Sequence, residues 1–134
     1  MRHWTLLVTA DREYHAQMDG WATSADARVP FPSEVTYRAV ALHGDQLLIG
    51  RRGGFPDLEP DIDLTGPPAD PRVSPAHALL LANPDGGWSL VDLGSANGTY
   101  LNDALNPIAT NYPVPLYDGD AIHLGAWTTL TLSH

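Results

Sequence analysis

The chain has 134 residues, 43% of them hydrophobic, which suits one folded domain with a single core and leaves little room for a second. Its formal net charge of −9 argues against nucleic acid or an anionic membrane as a partner, because both require a positive protein surface. Cysteine is absent, which excludes disulfides and thiolate metal sites.

The segment before residue 35 is the least regular part of the sequence. We predict a first strand at residues 3–9, followed by a long loop at residues 11–32, where polar residues are interrupted by glycine and proline. The apolar stretch near Met1 is too short for a signal peptide or a membrane span, so we expect a cytoplasmic protein. Residues 1–34 have no assigned role.

From residue 35 onward the sequence predicts short strands. Alternation over residues 35–42, a turn, and residues 47–51 indicate one hairpin, and residues 76–82 with 88–93 indicate another. The remaining short extended segments are residues 62–64, 99–101, 114–116, 121–124 and 127–132. The chain also has twelve glycines and twelve prolines, and turn signals recur about every eight to twelve residues, which is typical of a sandwich or barrel. The predicted fold class is all-β.

Four short motifs follow one another along these strands and turns. They are Gly50-Arg51, Ser74-Pro75-Ala76-His77, Ser95-Ala96-Asn97-Gly98-Thr99 and Gly119-Asp120. Their order and spacing over roughly residues 35–132 resemble the forkhead-associated (FHA) domain family. The all-arginine basic set and the many prolines resemble proteins of bacteria, in particular actinobacteria. The resemblance implies a β-sandwich of two antiparallel sheets over residues 35–134, with binding loops at one end that read phosphothreonine on a partner protein.

The resemblance also assigns roles to individual side chains. It implies that Arg51 and Ser74 hold the phosphate and that Asn97 hydrogen-bonds the peptide backbone. We expect the loops around Arg52 and Arg72 to select neighbouring peptide residues. The backbone N–H of Ala96 is a further expected contact. Structural support of the binding loops is implied for Gly50, His77, Ser95, Gly98 and Thr99.

Several of these side chains also have a purely structural interpretation. Arg51 taken alone resembles a surface arginine paired with an acid such as Asp57 or Glu59, and Ser74 resembles a serine that stabilises a local turn. For His77 we favour the structural role, because no carboxylate or second histidine stands at ligand spacing from it. We therefore predict no metal, no cofactor and no catalytic residue.

Two positions depart from the family pattern. Family members usually have Arg, Lys or Asn directly after the motif serine, but this chain has Pro75, which lacks both a side-chain donor and a backbone N–H. The position before Asn97 is often threonine and here is Ala96. Each lost charge-assisted hydrogen bond weakens binding by roughly 1.5–3 kcal/mol, which is one to two decades in affinity.

Three functions remain open from the sequence. The first is a phosphothreonine-dependent adaptor without enzymatic activity, whose partner is a Ser/Thr kinase substrate and which acts as a monomer or weak homodimer. The alternative is a phospho-independent FHA scaffold in which Pro75 and Ala96 mark a degenerate phosphate site and another surface binds the partner. The third is a β-sandwich that binds carbohydrate or hydrolyses an unspecified substrate. Four tryptophans favour sugar stacking but are widely spaced, and no nucleophile–base pair or paired carboxylates support hydrolysis.

Overall fold

The computed structural model describes residues 3–20, 29–34, 37–53 and 59–134, which contain one helix and ten strands. The elements are β1 (Thr5–Ala10), α1 (Arg12–Gly20), β2 (Tyr37–Ala41), β3 (Gln46–Gly50), β4 (Ile62–Asp63), β5 (Ala76–Ala82), β6 (Trp88–Asp92), β7 (Thr99–Leu101), β8 (Val114–Pro115), β9 (Ala121–Leu124) and β10 (Thr128–Ser133). The strands form two five-stranded sheets, in the orders β2-β1-β10-β9-β7 and β4-β3-β5-β6-β8. Neighbouring strands are antiparallel except β3 and β4. The predicted all-β sandwich is confirmed.

One apolar core lies between the two sheets. Leu6 and Leu130 from the first sheet and Ile49, Leu80 and Leu90 from the second have no exposed surface. Burying a side chain of this size contributes about 1.5–3 kcal/mol. Because Leu6, Ile49 and Leu80 alternate with more exposed residues along their strands, the core fixes the register of those strands.

Of the two predicted hairpins, the structure contains one. The later one is confirmed, since β5 and β6 pair antiparallel from Ala78 opposite Asp92 to Ala82 opposite Trp88. The earlier one is wrong, because β2 pairs with β1 while β3 pairs with β4 and β5. The turn after β2, with Gly44 at φ +82°, therefore carries the chain from one sheet to the other. Residues 35 and 36, which were expected to begin β2, lie outside the described residues.

The structure also differs from the expected loop at residues 11–32, because Arg12–Gly20 is helical. Asp11 caps this helix through Oδ1, which accepts hydrogen bonds from the N–H groups of Glu13 and Tyr14 at 3.0 and 3.1 Å. Tyr14 is buried and is the main anchor of the helix. A short helix held by a cap and one aromatic has no repeating apolar pattern, which explains the wrong prediction. Residues 21–28 of the predicted loop lie outside the described residues.

A buried carboxylate joins the two sheets at one end of the sandwich. Asp70 lies between β4 and β5, and its carboxylate accepts hydrogen bonds from the N–H groups of Ala126 and Trp127 and from the Thr128 hydroxyl, at 2.8–3.1 Å. A Cβ atom at Gly125 would lie only 2.4 Å from Asp70 Oδ2, so this turn requires glycine. The loop between β4 and β5 is thereby held against the turn between β9 and β10.

We expect Asp70→Asn to lower the free energy of unfolding by about 3 kcal/mol, because an amide would turn an N–H₂ group toward donors that now share a buried carboxylate. Urea denaturation measures this change. Asp103→Asn, at an exposed position, is the matched control and should change stability by less than about 0.5 kcal/mol. Equal effects of the two substitutions would contradict the structural role of Asp70.

Candidate functional site

Three loops meet at one end of the sandwich, and each carries one of the predicted phosphate or peptide contacts. Arg51 directly follows β3, Ser74 lies two residues before β5, and Asn97 lies two residues before β7. Hydrogen bonds between these loops, described below, bring all three residues into one region. The predicted site residues are therefore neighbours in space although they are far apart in the chain.

Gly50 permits the close approach that positions Arg51. A Cβ atom at Gly50 would lie 1.8 Å from the carbonyl oxygen of Pro75, so any side chain there would collide with backbone. The pairing of β3 with β5 shifts register between Ile49 and Gly50, and the N–H of Arg51 donates to the Pro75 carbonyl at 3.1 Å. The backbone of Arg51 is thereby fixed beside the loop that carries Ser74.

The Arg51 guanidinium braces the loop before β5. Its Nε donates to the Val73 carbonyl, and its Nη2 lies 3.5 Å from the Pro71 carbonyl. Within the described ranges its partners are thus carbonyl oxygens rather than a carboxylate such as Glu59; Asp57, the other expected acid, lies outside them. A guanidinium has five N–H donors. Contacts among the described residues use two of them and leave three without a partner there.

The buried imidazole of His77 connects two of the three loops. Its Nδ1 accepts a hydrogen bond from the Ser74 N–H at 3.0 Å, and its Nε2 lies 3.1 Å from the Gly98 carbonyl. Because Nδ1 accepts, Nε2 must carry the proton that it donates to Gly98, so the ring is neutral. Burial lowers the pKa of His77, outweighing the opposing effects of the Gly98 carbonyl, Asp92 and Asp70. Gly98 itself has φ +82°, where side chains are strained.

A second set of contacts orients Ser74 and Asn97. Ser74 Oγ accepts a hydrogen bond from the Ala96 N–H at 3.1 Å, which leaves its own hydroxyl proton available to donate. The Ala96 N–H, for which a ligand contact is expected, donates to Ser74 Oγ in this structure. Asn97 Nδ2 donates to the Arg72 carbonyl at 3.1 Å. The Asn97 amide oxygen has no partner among the described residues.

Asp92, which sequence reasoning did not single out, organises the loop before β7. Its Oδ1 accepts hydrogen bonds from the hydroxyls of Ser95 and Thr99 at 2.6 and 2.7 Å, and its Oδ2 accepts from the Gly94 N–H at 3.0 Å. Burial alone would raise the pKa of Asp92, but these hydrogen bonds outweigh it and lower the pKa. The sequence signal was an acid at a strand end followed by Gly and Ser, which is typical of a turn closed by an aspartate side chain.

The two other predicted arginines are placed differently. Arg52 is exposed, and its Nε forms an ion pair with Asp63 Oδ2 at 3.0 Å, so a ligand contact would require exchange of this pair. Arg72 is fixed through its backbone, where its N–H donates to Asp70 Oδ1 at 3.0 Å and its carbonyl accepts from Asn97.

Among the described residues, no group of three or more His, Asp or Glu is arranged to hold a metal ion. The single helix in the part of the chain that the structure describes, α1, lacks the length and apolar character needed to cross a membrane.

We expect the stability of the chain to fall as the pH is lowered through the histidine range. Burial lowers the pKa of His77 and His123 below the ordinary value of 6.5, so between the folded and unfolded pKa values the unfolded chain binds more protons. The stabilisation by neutral His77 is complete above pH 6.5 and is lost as the pH falls through the lowered pKa. Denaturation at pH 7.5 and at successively lower pH measures this loss.

In the same experiment His77→Gln should remove the His77 part of the pH dependence and leave the part due to His123. His43→Gln, at an exposed position, is the control and should leave the pH profile unchanged. If the two variants lost stability on acidification as steeply as each other, His77 would not be the neutral bridge between the loops.

Comparison with known proteins agrees with the geometry. The FHA domain family model matches residues 47–125. The ABC transporter ATP-binding/permease protein Rv1747 of Mycobacterium tuberculosis is 37% identical over 93 residues, which are 69% of this chain and 9% of the transporter's length. The chain thus spans a small part of that curated relative.

Two solved structures have a fold similar to that of this chain. An FHA domain studied for phosphothreonine-dependent interactions has a TM-score of 0.62 and 22% identity, covering 99% of this chain and 97% of that one. Mycobacterium tuberculosis EmbR, solved with a low-affinity phosphopeptide, has a TM-score of 0.56 and 26% identity, covering 72% of this chain and 21% of that one. The mycobacterial matches confirm the resemblance to bacterial FHA domains. Since the family match spans more than half of its residues, the chain belongs to the FHA domain family.

Proposed function

We propose that the chain is a phosphothreonine-dependent protein-interaction module in which Arg51 and Ser74 bind the phosphate and Asn97 binds the peptide backbone. The main support is geometric: loop contacts hold these three side chains together, and each keeps hydrogen-bonding capacity in the described structure. Family membership and the similarity to EmbR, which was solved with a phosphopeptide, favour the same function. The module performs no catalytic step.

Arg51 supplies the charge that a phosphate requires on an otherwise acidic chain. A phosphothreonine carries about −1.5 to −2 charges at neutral pH, whereas the chain has a formal net charge of −9. Hydrogen bonds from a guanidinium to phosphate contribute about 1.5–3 kcal/mol each. The braced Arg51 side chain loses little conformational entropy on binding, because Val73 and Pro71 already restrain it.

Ser74 and Ala96 act together in this proposal. The Ala96 N–H points at Ser74 Oγ, which directs the free hydroxyl proton of Ser74 away from Ala96 and toward a phosphate oxygen. Ala96 thus contributes by orienting Ser74 rather than through its own ligand contact. Pro75 offers no donor, but its carbonyl positions Arg51. The departures from the family pattern therefore reduce the number of phosphate contacts and leave the two main donors in place.

The partner in this proposal is a phosphorylated substrate of a Ser/Thr kinase in the cytoplasm. The chain binds it as a monomer or weak homodimer. The loops around Arg52 and Arg72 select residues that flank the phosphothreonine, and a contact from Arg52 requires exchange of its ion pair with Asp63.

We expect a phosphothreonine peptide selected from a degenerate library to bind the chain at least about tenfold more tightly than its unphosphorylated twin. Arg51→Ala and Ser74→Ala should each remove about tenfold or more of this affinity, because each deletes a donor to the phosphate. Isothermal titration of both peptides against each variant measures the effect.

Gln46→Ala is the control, since it truncates an exposed side chain at the start of β3, the end of the strand opposite Arg51. It should change affinity less than about threefold, as expected for a surface substitution away from the site. Equal binding of both peptides, unchanged by Arg51→Ala, would overturn the proposal and favour the phospho-independent scaffold.

A further inference from the structure

The outer edge of β2 is the longest open strand edge in the described structure. β2 is an end strand of the first sheet and pairs with β1 along its whole length, from Tyr37 to Ala41. No hydrogen bond reaches its other edge from the described residues. The other end strands are less open. β4 and β8 have two residues each, β8 includes Pro115, and on β7 the Thr99 carbonyl accepts from the Ile108 N–H at 2.9 Å.

The alternation of hydrogen bonds determines which backbone groups of β2 point outward. Leu42, which directly follows β2, donates its N–H to the Trp4 carbonyl at 2.9 Å and continues the register of β1 and β2. In an antiparallel pair the hydrogen-bonded partners recur at every second residue, so the even-numbered residues of β2 bond to β1. The N–H and C=O groups of the odd-numbered residues therefore point away from β1. These residues are Tyr37, Ala39 and Ala41.

The side chains of these three residues lie on the outer face of the sheet. Val40 packs against the core, and successive side chains of a strand alternate between the two faces. Tyr37, Ala39 and Ala41 are all exposed, and Tyr37 has 70% of its surface exposed. The outer face of β2 thus combines one large side chain at the start of the strand with two of the smallest.

The composition of β2 also favours a contact with another strand. Edge strands are commonly protected by prolines, bulges or charged side chains. β2 has no proline and no shift in its register with β1. Its one charged residue is Arg38, whose guanidinium donates to the Asp63 carbonyl of the other sheet. Although the chain has a formal net charge of −9, a strand that approaches β2 meets no carboxylate on it.

We propose that the chain forms a two-fold symmetric dimer in which β2 pairs antiparallel with β2 of a second copy. The two first sheets then join into one continuous sheet. With Ala39 opposite Ala39 of the second copy, Tyr37 lies opposite Ala41 and Ala41 opposite Tyr37. These are the residues with outward N–H and C=O groups, so each of the three pairs exchanges two hydrogen bonds. Each tyrosine faces an alanine, which leaves room for its ring. The strand is therefore complementary to itself.

This pairing places the two candidate sites at opposite ends of the dimer. β2 begins beside Thr9, at the end of the sandwich that carries the candidate site, and the antiparallel pairing reverses the second copy. The dimer therefore holds two phosphorylated partners apart and does not bind two phosphothreonines of one short peptide. This consequence rests on the proposed function, whereas the pairing itself does not.

Sedimentation equilibrium of the full chain at increasing concentration tests the pairing. The wild type should dimerise with a Kd on the order of 0.1 mM, because a contact through one short strand is at the small end of interface sizes. Ala39→Glu and Ala39→Lys should each weaken dimerisation about fivefold, because the symmetry places two like charges directly opposite each other. An equimolar mixture of the two variants should restore dimerisation, because the opposite charges then attract. Circular dichroism checks that each variant is folded.

Ala104→Glu and Ala104→Lys are the matched controls, because they make the same charge changes at an exposed position after β7, at the other edge of the first sheet. They should leave the Kd within about twofold of the wild-type value, as expected for distant charges screened by salt. Arg51→Ala should also leave it unchanged, so the test is independent of the proposed phosphate site.

Three results would overturn the pairing. They are a wild type that stays monomeric at about 1 mM, a dimer that both Ala39 variants leave intact, and weakened variants whose mixture does not recover. Each of these results would leave the proposed function standing, since the phosphopeptide titration decides that separately.

Discussion

The neutral imidazole of His77 sets the relative position of the loops that carry Ser74 and Asn97. It has no exposed surface, and both of its nitrogens are bonded to backbone, one to the Ser74 N–H and the other to the Gly98 carbonyl. Leaving a buried polar group without its hydrogen-bond partners costs about 1–3 kcal/mol. Moving the two loops apart would therefore raise the free energy of the folded state. The loops that carry Ser74 and Asn97 are consequently held in place by the scaffold itself.

Two buried carboxylates extend this arrangement to the rest of the sandwich end that carries these loops. Asp92 closes the loop before β7, and Asp70 ties the loop before β5 to the turn between β9 and β10. The apolar core fixes the register of strands, whereas these polar groups determine how the loops leave the strand ends. Asp70 and Asp92 are both buried and hydrogen-bonded within the scaffold, so they are not exposed beside Arg51 at that end of the sandwich.

The sequence predicted the features that depend on local pattern and on the motifs. The hairpin of β5 and β6 was predictable because its turn and its strand pattern agree. The motifs implied a supporting role for Gly50, whereas its close approach to the Pro75 carbonyl is visible only in the structure. The pairing of β2 was not predictable from the sequence. A short turn can join two strands of one sheet or connect two sheets, and the packing of the core determines which of the two occurs. The roles of Tyr14 and Asp70 depend on contacts with residues more than fifty positions away, which no local pattern records.

The central claim is that His77 and its bonded loops present Arg51, Ser74 and Asn97 to a phosphothreonine. NMR titration of the ¹⁵N-labelled chain with a phosphothreonine peptide tests it most directly, because each of these groups has an observable N–H. The account predicts the largest shifts at the Arg51 Nε–H, the Ser74 amide and the Asn97 side-chain amide. It predicts no change at the indole N–H of Trp4, which donates to the Gly86 carbonyl at the opposite end. Shifts centred on Trp4 or on β2, with Arg51 unchanged, would contradict it.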